Sequence, residues 1–115
     1  MKVNELNPFP PTKVQFALKS KKLVPNTPGC YALVTFDCSV LYVGLATSLA
    51  NRFVQHCESK EKCEPTQDGK AFWFYFLEAE PKELNRIERT WQQQYFAVNG
   101  RLPILNKVDS PMIGG

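Results

Sequence analysis

The stretch Gly29-Cys30-Tyr31-Ala32-Leu33-Val34-Thr35-Phe36-Asp37-Cys38-Ser39-Val40-Leu41-Tyr42-Val43-Gly44 decides how this 115-residue chain is read. The run from Tyr31 to Phe36 is mostly β-branched, aromatic or small, and so is the run from Val40 to Val43. Asp37-Cys38-Ser39 between them is turn-prone, so the simplest reading is a two-stranded antiparallel hairpin that holds two phenols near one another. Gly29 lets the chain enter the first strand from a proline-rich approach, and Gly44 is expected to let it leave the second strand tightly.

A chain of this length has room for one domain and one modest core. With 43% hydrophobic and 22% charged residues it has the make-up of a folded globular protein, which excludes disorder as its main state. The net charge of +3 points only weakly to a nucleic-acid partner, because a patch matters more than a total. No stretch approaches the ~18 to 20 apolar residues that cross a bilayer, and no basic segment runs directly into an apolar one at the N-terminus. The expectation is therefore a cytoplasmic protein with no membrane partner. Cys30, Cys38, Cys57 and Cys63 contain no C-x-x-C pair, and the rest of the composition can build a core without bridges.

Outward from the hairpin, residues 1–27 read as an N-terminal arm punctuated by prolines, 28–108 as the domain proper and 109–115 as a flexible tail. Within the arm, Thr12 to Lys22 is expected to form a short docking helix, with Val14, Ala17 and Leu18 at i, i+3 and i+4. After the hairpin, Thr47 or Ser48 can cap a helix to about Cys57 in which Leu49, Phe53 and His56 or Cys57 recur at helical spacing, with Asn51, Gln55 and Glu58 opposite. Glu58 to Lys70 reads as a mobile polar loop, and Ala71 to Leu77, rich in aromatics, as a strand covered on both faces. A second helix is expected from Pro81 to Asn99-Gly100, with Leu84, Ile87, Trp91 and Tyr95 as its apolar stripe. Leu102 to Asn106 then packs back on the domain.

Five side chains point to chemistry, and each has a structural explanation as well. Tyr31 and Tyr42 are aromatics of the kind that fill small sheets, while Arg52 and His56 taken singly are ordinary helix residues. Glu88 is harder to explain away, since a carboxylate beside Ile87 and Trp91 must reach solvent, pair with a cation such as Arg52, or bind a metal. Together they suit phosphodiester hydrolysis. A divalent ion on Glu88 and the guanidinium of Arg52 would stabilise the charge that develops on phosphate and on the leaving 3′ oxygen. One carboxylate suffices for Mg²⁺, which keeps several waters. A tyrosine or His56 would take the proton from water. All four of Tyr31, Tyr42, Arg52 and Glu88 should then border one concavity on the tyrosine side of the sheet. Structural zinc on His56, Cys57 and Cys63 lacks a fourth ligand and falls far from the usual spacings.

The phrases GCY (Gly29 to Tyr31), YVG (Tyr42 to Gly44), NRFVQH (Asn51 to His56), IERTW (Ile87 to Trp91) and PILN (Pro103 to Asn106) resemble, in order, the motifs of the GIY-YIG nuclease superfamily. The resemblance covers residues 28 to 107 and is nearest to compact members like the N-terminal nuclease domain of the bacterial excision-repair incision enzyme. It implies a small α/β domain with a central three-stranded antiparallel sheet flanked by helices, and metal-dependent DNA cleavage with one Mg²⁺ or Mn²⁺. By the same resemblance Tyr31 and Tyr42 line the site, one of them as general base or orienter of water. Arg52 is the motif arginine, Glu88 the metal-binding glutamate and Asn106 the residue that brace the site, while His56 stands where many members carry histidine.

One departure stands out. Many relatives follow the second glycine with lysine, whereas this chain has Leu45. The alternative reading that follows is a nucleic-acid-binding domain that cuts slowly or not at all. A protein-interaction module built on the aromatic run and the arm is a third reading, but it gives no reason for Arg52 and Glu88 to occur together. Candidate DNA contacts are Lys19, Lys21 and Lys22 on the arm and Lys60, Lys62 and Lys70 around the loop, where Glu58, Glu61 and Glu64 interleave. With one small site, cutting both strands of a duplex would need a homodimer, a protein partner or sequential nicking.

Overall fold

A computed structural model describes residues 1–109. The flexible tail expected from Asp109 onward falls, but for its first residue, outside them. Four strands, β1 (Thr12–Gln15), β2 (Gly29–Val34), β3 (Val40–Ala46) and β4 (Trp73–Glu78), form one antiparallel sheet in the order β1-β4-β2-β3. The hairpin forms as its sequence predicts: Tyr31 pairs with Gly44 and Ala32 with Val43, with a bulge between Leu33 and Val34. Cys38 turns the chain at φ 73°. The aromatic run becomes an interior strand, β4, flanked by β1 and β2.

The sheet has four strands rather than the three expected, because Thr12–Gln15 is a strand and not the start of a docking helix. Val14 is buried opposite Phe74, and the Phe16 N–H donates to the Phe72 carbonyl at 2.7 Å. Leu18 is 46% exposed, so the helical spacing of Val14, Ala17 and Leu18 marks no buried stripe. A helix this short is marginal in water, whereas the edge of β4 offers a full set of backbone partners. Only Leu18–Leu23 coils, as a 3₁₀ turn. The arm is also part of the core: Val3, Leu6, Val14 and Val24 are buried, and the Trp91 indole N–H donates to the Pro8 carbonyl at 2.8 Å.

Helices α1 (Leu49–Cys57) and α3 (Leu84–Asn99) cover opposite faces of the sheet. Every residue of β2 is buried, and the strand's alternation sends Cys30, Ala32 and Val34 to the α3 side and Tyr31 and Leu33 to the α1 side. Ser48 caps α1, its hydroxyl oxygen accepting from the Asn51 N–H at 3.2 Å. The α3 stripe of Leu84, Ile87, Trp91 and Tyr95 is buried as its spacing predicts. That helix follows a 3₁₀ turn at Pro81–Glu83 and stops at Gly100, which adopts φ 72°. The Glu58–Lys70 segment is more structured than a mobile loop, for Ser59 caps a further short helix, α2 (Lys60–Cys63), and Thr66 and Gly69 pair across a turn. Helix α4 (Ile104–Asp109) packs against β3, and Leu105 completes the core on the α1 side.

At the start of β2, a Cβ on Gly29 would stand 2.4 Å from the Leu77 carbonyl oxygen and 2.7 Å from Leu49 Cδ1. A backbone oxygen in a sheet has little room to retreat. Gly29→Ala should therefore lower stability by about 1–3 kcal/mol, read as a lower urea midpoint with an unchanged slope.

Candidate active site

The two phenols meet over Gly44. The rings of Tyr31 and Tyr42 stack with centroids 5.9 Å apart, and a Cβ on Gly44 would fall 2.7 Å from Tyr31 Oη and 2.9 Å from Tyr42 Cε1. Gly44 lies inside β3 rather than at its exit, so its role is to leave space for both rings and not to turn the chain. Tyr31 is 0% exposed, sandwiched between Tyr42 and Phe74, and its hydroxyl shares a 2.6 Å hydrogen bond with Nε2 of buried His56. Burial, and then the neighbouring Tyr42 phenol, push the Tyr31 hydroxyl well above the usual tyrosine range, against the opposing pull of Arg52. Tyr31 therefore stays a neutral phenol at ordinary pH. Tyr42 is only half-buried, and its ring stands edge-on to His56 at 5.3 Å.

Glu88 comes to the site from the other layer: the apolar stripe of its helix lies on the face opposite the tyrosines, while its carboxylate senses Arg52. It belongs to α3, which packs on the opposite face with Cys30 and Ala32. Its charge acts on Cys30, whose thiol is pushed up to about 12 by burial and then by Glu88; this cysteine serves as a small apolar core residue. Cys30 pairs with Leu45, and the adjacent Tyr31 pairs with Gly44, so the two halves of the site stand at the same level of the sheet on either side of the edge strand β3. Arg52 connects them. Its Nη1 donates to the Leu45 carbonyl at 3.3 Å, and its positive charge is felt by Tyr31 on one side and Glu88 on the other.

Desolvation raises the Glu88 carboxyl above its ordinary value, and Arg52 only partly offsets this. No hydrogen bond or ion pair to its carboxylate is found among the described residues, so Arg52 is not the closed structural partner that a purely architectural reading requires. Among those residues no three His, Cys, Asp or Glu side chains group closely enough to hold an ion together. The Cys63 thiol instead donates to the carbonyls of His56 at 3.5 Å and Cys57 at 3.3 Å.

Asn106 covers the backbone of the edge strand. Its Oδ1 accepts from the Val43 N–H and its Nδ2 donates to the Val43 carbonyl, both at 2.8 Å, so one carboxamide takes the place of a neighbouring strand. Of the basic residues expected at a DNA surface, Lys19, Lys21, Lys22, Lys60 and Lys70 are exposed, and the 3₁₀ turn carrying the first three packs against α1. Lys62 is different. It is 5% exposed, with Nζ 5.0 Å from the centroid of the Tyr42 ring. Its place in an alternating charge run hid this, although Ser59 ahead of it is a legible helix cap. A cavity of about 740 Å³ opens at the other end of the hairpin, between Thr35–Asp37 and Asp68–Phe72.

The family model of the GIY-YIG catalytic domain matches residues 27–101, well over half of the chain, and the chain belongs to this family. The match takes in Tyr31, Tyr42, Arg52, His56 and Glu88 and ends before Asn106. Among solved structures, the N-terminal GIY-YIG endonuclease domain of UvrC from Thermotoga maritima, a point mutant bound to its catalytic divalent cation, is similar with a TM-score of 0.53 and 19% sequence identity. The alignment covers 67% of this chain and 86% of that one, and at this identity it bears on the fold. A search of the curated proteins found no match.

Two consequences can be measured without DNA. Because burial holds Tyr31 neutral, Tyr31→Phe should remove no phenolate absorbance between about pH 9 and 11, whereas an ordinary exposed tyrosine would contribute half its signal near pH 10. Asn106→Ala strands both polar groups of Val43 at the strand edge. It should cost about 1–3 kcal/mol in denaturant midpoint and speed amide exchange at Val43 before exchange elsewhere in β3.

Proposed function

We propose that this chain is a divalent-metal-dependent DNA endonuclease that hydrolyses one phosphodiester at a time with a single Mg²⁺ or Mn²⁺ ion. The observation that carries this reading is the Glu88 carboxylate, half-buried at the edge of the sheet beside Arg52 and without a closed ion pair among the described residues. A carboxylate in that condition fits one divalent ion that keeps most of its water shell, and membership of the GIY-YIG family supports the same reading. Glu88 would hold the ion, which when bound supplies Lewis-acid stabilisation of the phosphate and leaving oxygen.

The remaining work belongs to the chain's own side chains. Arg52, reaching around β3, offers its guanidinium to the nonbridging oxygens. Tyr31 is neutral and out of solvent, so the residue that orients the attacking water and takes its proton is the partly exposed Tyr42. Tyr31 and His56, hydrogen-bonded to one another, fix the wall against which the Tyr42 ring rests. Asn106 braces β3 between the two halves. A site at the edge strand of the sheet lies open to an extended duplex, and exposed Lys19, Lys21, Lys22, Lys60 and Lys70 supply salt-sensitive contacts to its backbone. No helix among the described residues is long and apolar enough to cross a membrane, and a cytoplasmic setting is part of the proposal. One such site cuts one strand, so double-strand cleavage requires a second copy, a partner protein or a second visit.

The test is incubation with supercoiled, linear, single-stranded and branched DNA in Mg²⁺, Mn²⁺ or chelator. The wild type should nick at least one substrate, chelator should stop it and added Mn²⁺ restore it. Glu88→Gln should cut roughly 100-fold more slowly or worse while still binding DNA. Intact substrates throughout, or equal cutting by the E88Q protein, would reject the mechanism. Salt-dependent binding without cutting would favour the inactive DNA-binding reading that Leu45 raises.

A further inference from the structure

Lysine is among the side chains that most rarely leave water, because its long stem lets the charged end reach the surface from almost any position. The short charged helix α2 shows the contrast here. The Lys60 side chain is 87% exposed, whereas that of Lys62, two residues on, is 6% exposed. Its Nζ lies over the Tyr42 ring at 5.0 Å and 3.9 Å from the Glu61 carboxylate. The helix that delivers it is tied down on both sides: the Ser59 hydroxyl accepts from the Lys62 N–H at 3.3 Å, and the Cys63 thiol donates to the last carbonyls of α1. These bonds fix the Lys62 backbone relative to His56 and hence to the Tyr42 ring that His56 touches.

Resting on the nuclease reading above, we propose that Lys62 is a positioning residue of the reaction: from α2 it holds the Tyr42 ring in place and favours the anionic form of its phenol. In each turnover the oxygen of water bonds to phosphorus, a proton of that water passes to the Tyr42 phenolate, and the bond from phosphorus to the 3′ oxygen breaks. The leaving oxygen takes a proton from solvent, and Tyr42 then returns its own proton to solvent. A cation beside the phenol stabilises the state that accepts the proton. Strand β3 supplies none, since Leu45 points into the α3-side core. The titratable and charged groups that face this phenol among the described residues are Tyr31 from β2, His56 from α1 and Lys62 from α2, with Glu61 behind Lys62 and Arg52 beyond Tyr31.

The test compares wild type with Lys62→Met, Lys62→Arg and, as a charge-loss control at an exposed lysine that touches none of the site side chains in the contacts above, Lys82→Met. K62M should melt as a folded protein, keep KM within about threefold and lose kcat by roughly ten- to a hundredfold, in line with the worth of one acid–base contribution. The alkaline rise of its pH–rate profile should move to higher pH, K62R should recover most of the rate, and K82M should match wild type. A lower melting point with unchanged kcat and pH profile would mean that Lys62 is merely structural and would overturn the proposal. A readout independent of cleavage is the ¹³Cζ resonance of Tyr42, whose titration midpoint should be higher in K62M than in wild type; equal midpoints overturn it. If wild type cuts no DNA, the nuclease reading fails, and this resonance alone decides whether Lys62 governs Tyr42. Should K62M not fold, the wild-type protein still decides: the Lys62 ε-protons must be shifted upfield by the Tyr42 ring, and an unshifted resonance rejects the contact.

Discussion

Strand β2 has no exposed residue, and the rest of the molecule is arranged around that fact. With β3 on one side, β4 on the other, α1 over one face and α3 over the other, every side chain of β2 is committed to a core. Tyr31 can therefore reach the candidate site only by leaning over its neighbour in the sheet. The neighbour is Gly44, and a single methyl there would occupy the space of the phenol hydroxyl. Packing inside β2 thus brings the candidate site to the edge of the sheet, where β3 ends the hydrogen-bonded ladder.

An edge site brings its own electrostatic demands. The edge exposes backbone groups, and Asn106 answers both those of Val43 with one carboxamide. It also lets two layers that never touch through the sheet act on the same space: Arg52 comes from the α1 side and Glu88 from the α3 side, and their charges sense one another around β3. Burial then separates the two phenols by role. Tyr31 is driven to the neutral state and bonded to His56, while Tyr42, partly exposed, stands between that pair and the Lys62 side chain. Similar residues next to one another acquire different chemistry because one is dry and the other is not.

Much of this was readable in the residues. The hairpin followed from two apolar β-branched runs around a turn, the α3 stripe from Leu84, Ile87, Trp91 and Tyr95, and the interior position of β4 from its unbroken aromatics. These signals are local and redundant, with several residues repeating the same period. Sequence pattern misleads where it is short or where partners are distant along the chain. Thr12–Gln15 carries too few residues to distinguish strand from helix, and the waiting edge of β4, some sixty residues away, decided the matter. Lys62 sits in a run of alternating charge that looks solvated, yet it is buried where α2 is tied to α1.

The identity of the chemical groups came from the chain alone: two phenols, a guanidinium, an imidazole, a carboxylate and a carboxamide in an order that fits one family, as the match over residues 27–101 bears out for the family itself. Their mutual placement did not. Which face of the sheet carries Glu88, which phenol stays dry, and which lysine comes to rest on Tyr42 all depend on how helices pack on the sheet. Such packing is fixed by contacts between residues tens of positions apart, and no periodicity along the chain records it. Sequence spacing encodes what each segment becomes, whereas burial and charge at the site arise only when the layers close on one another.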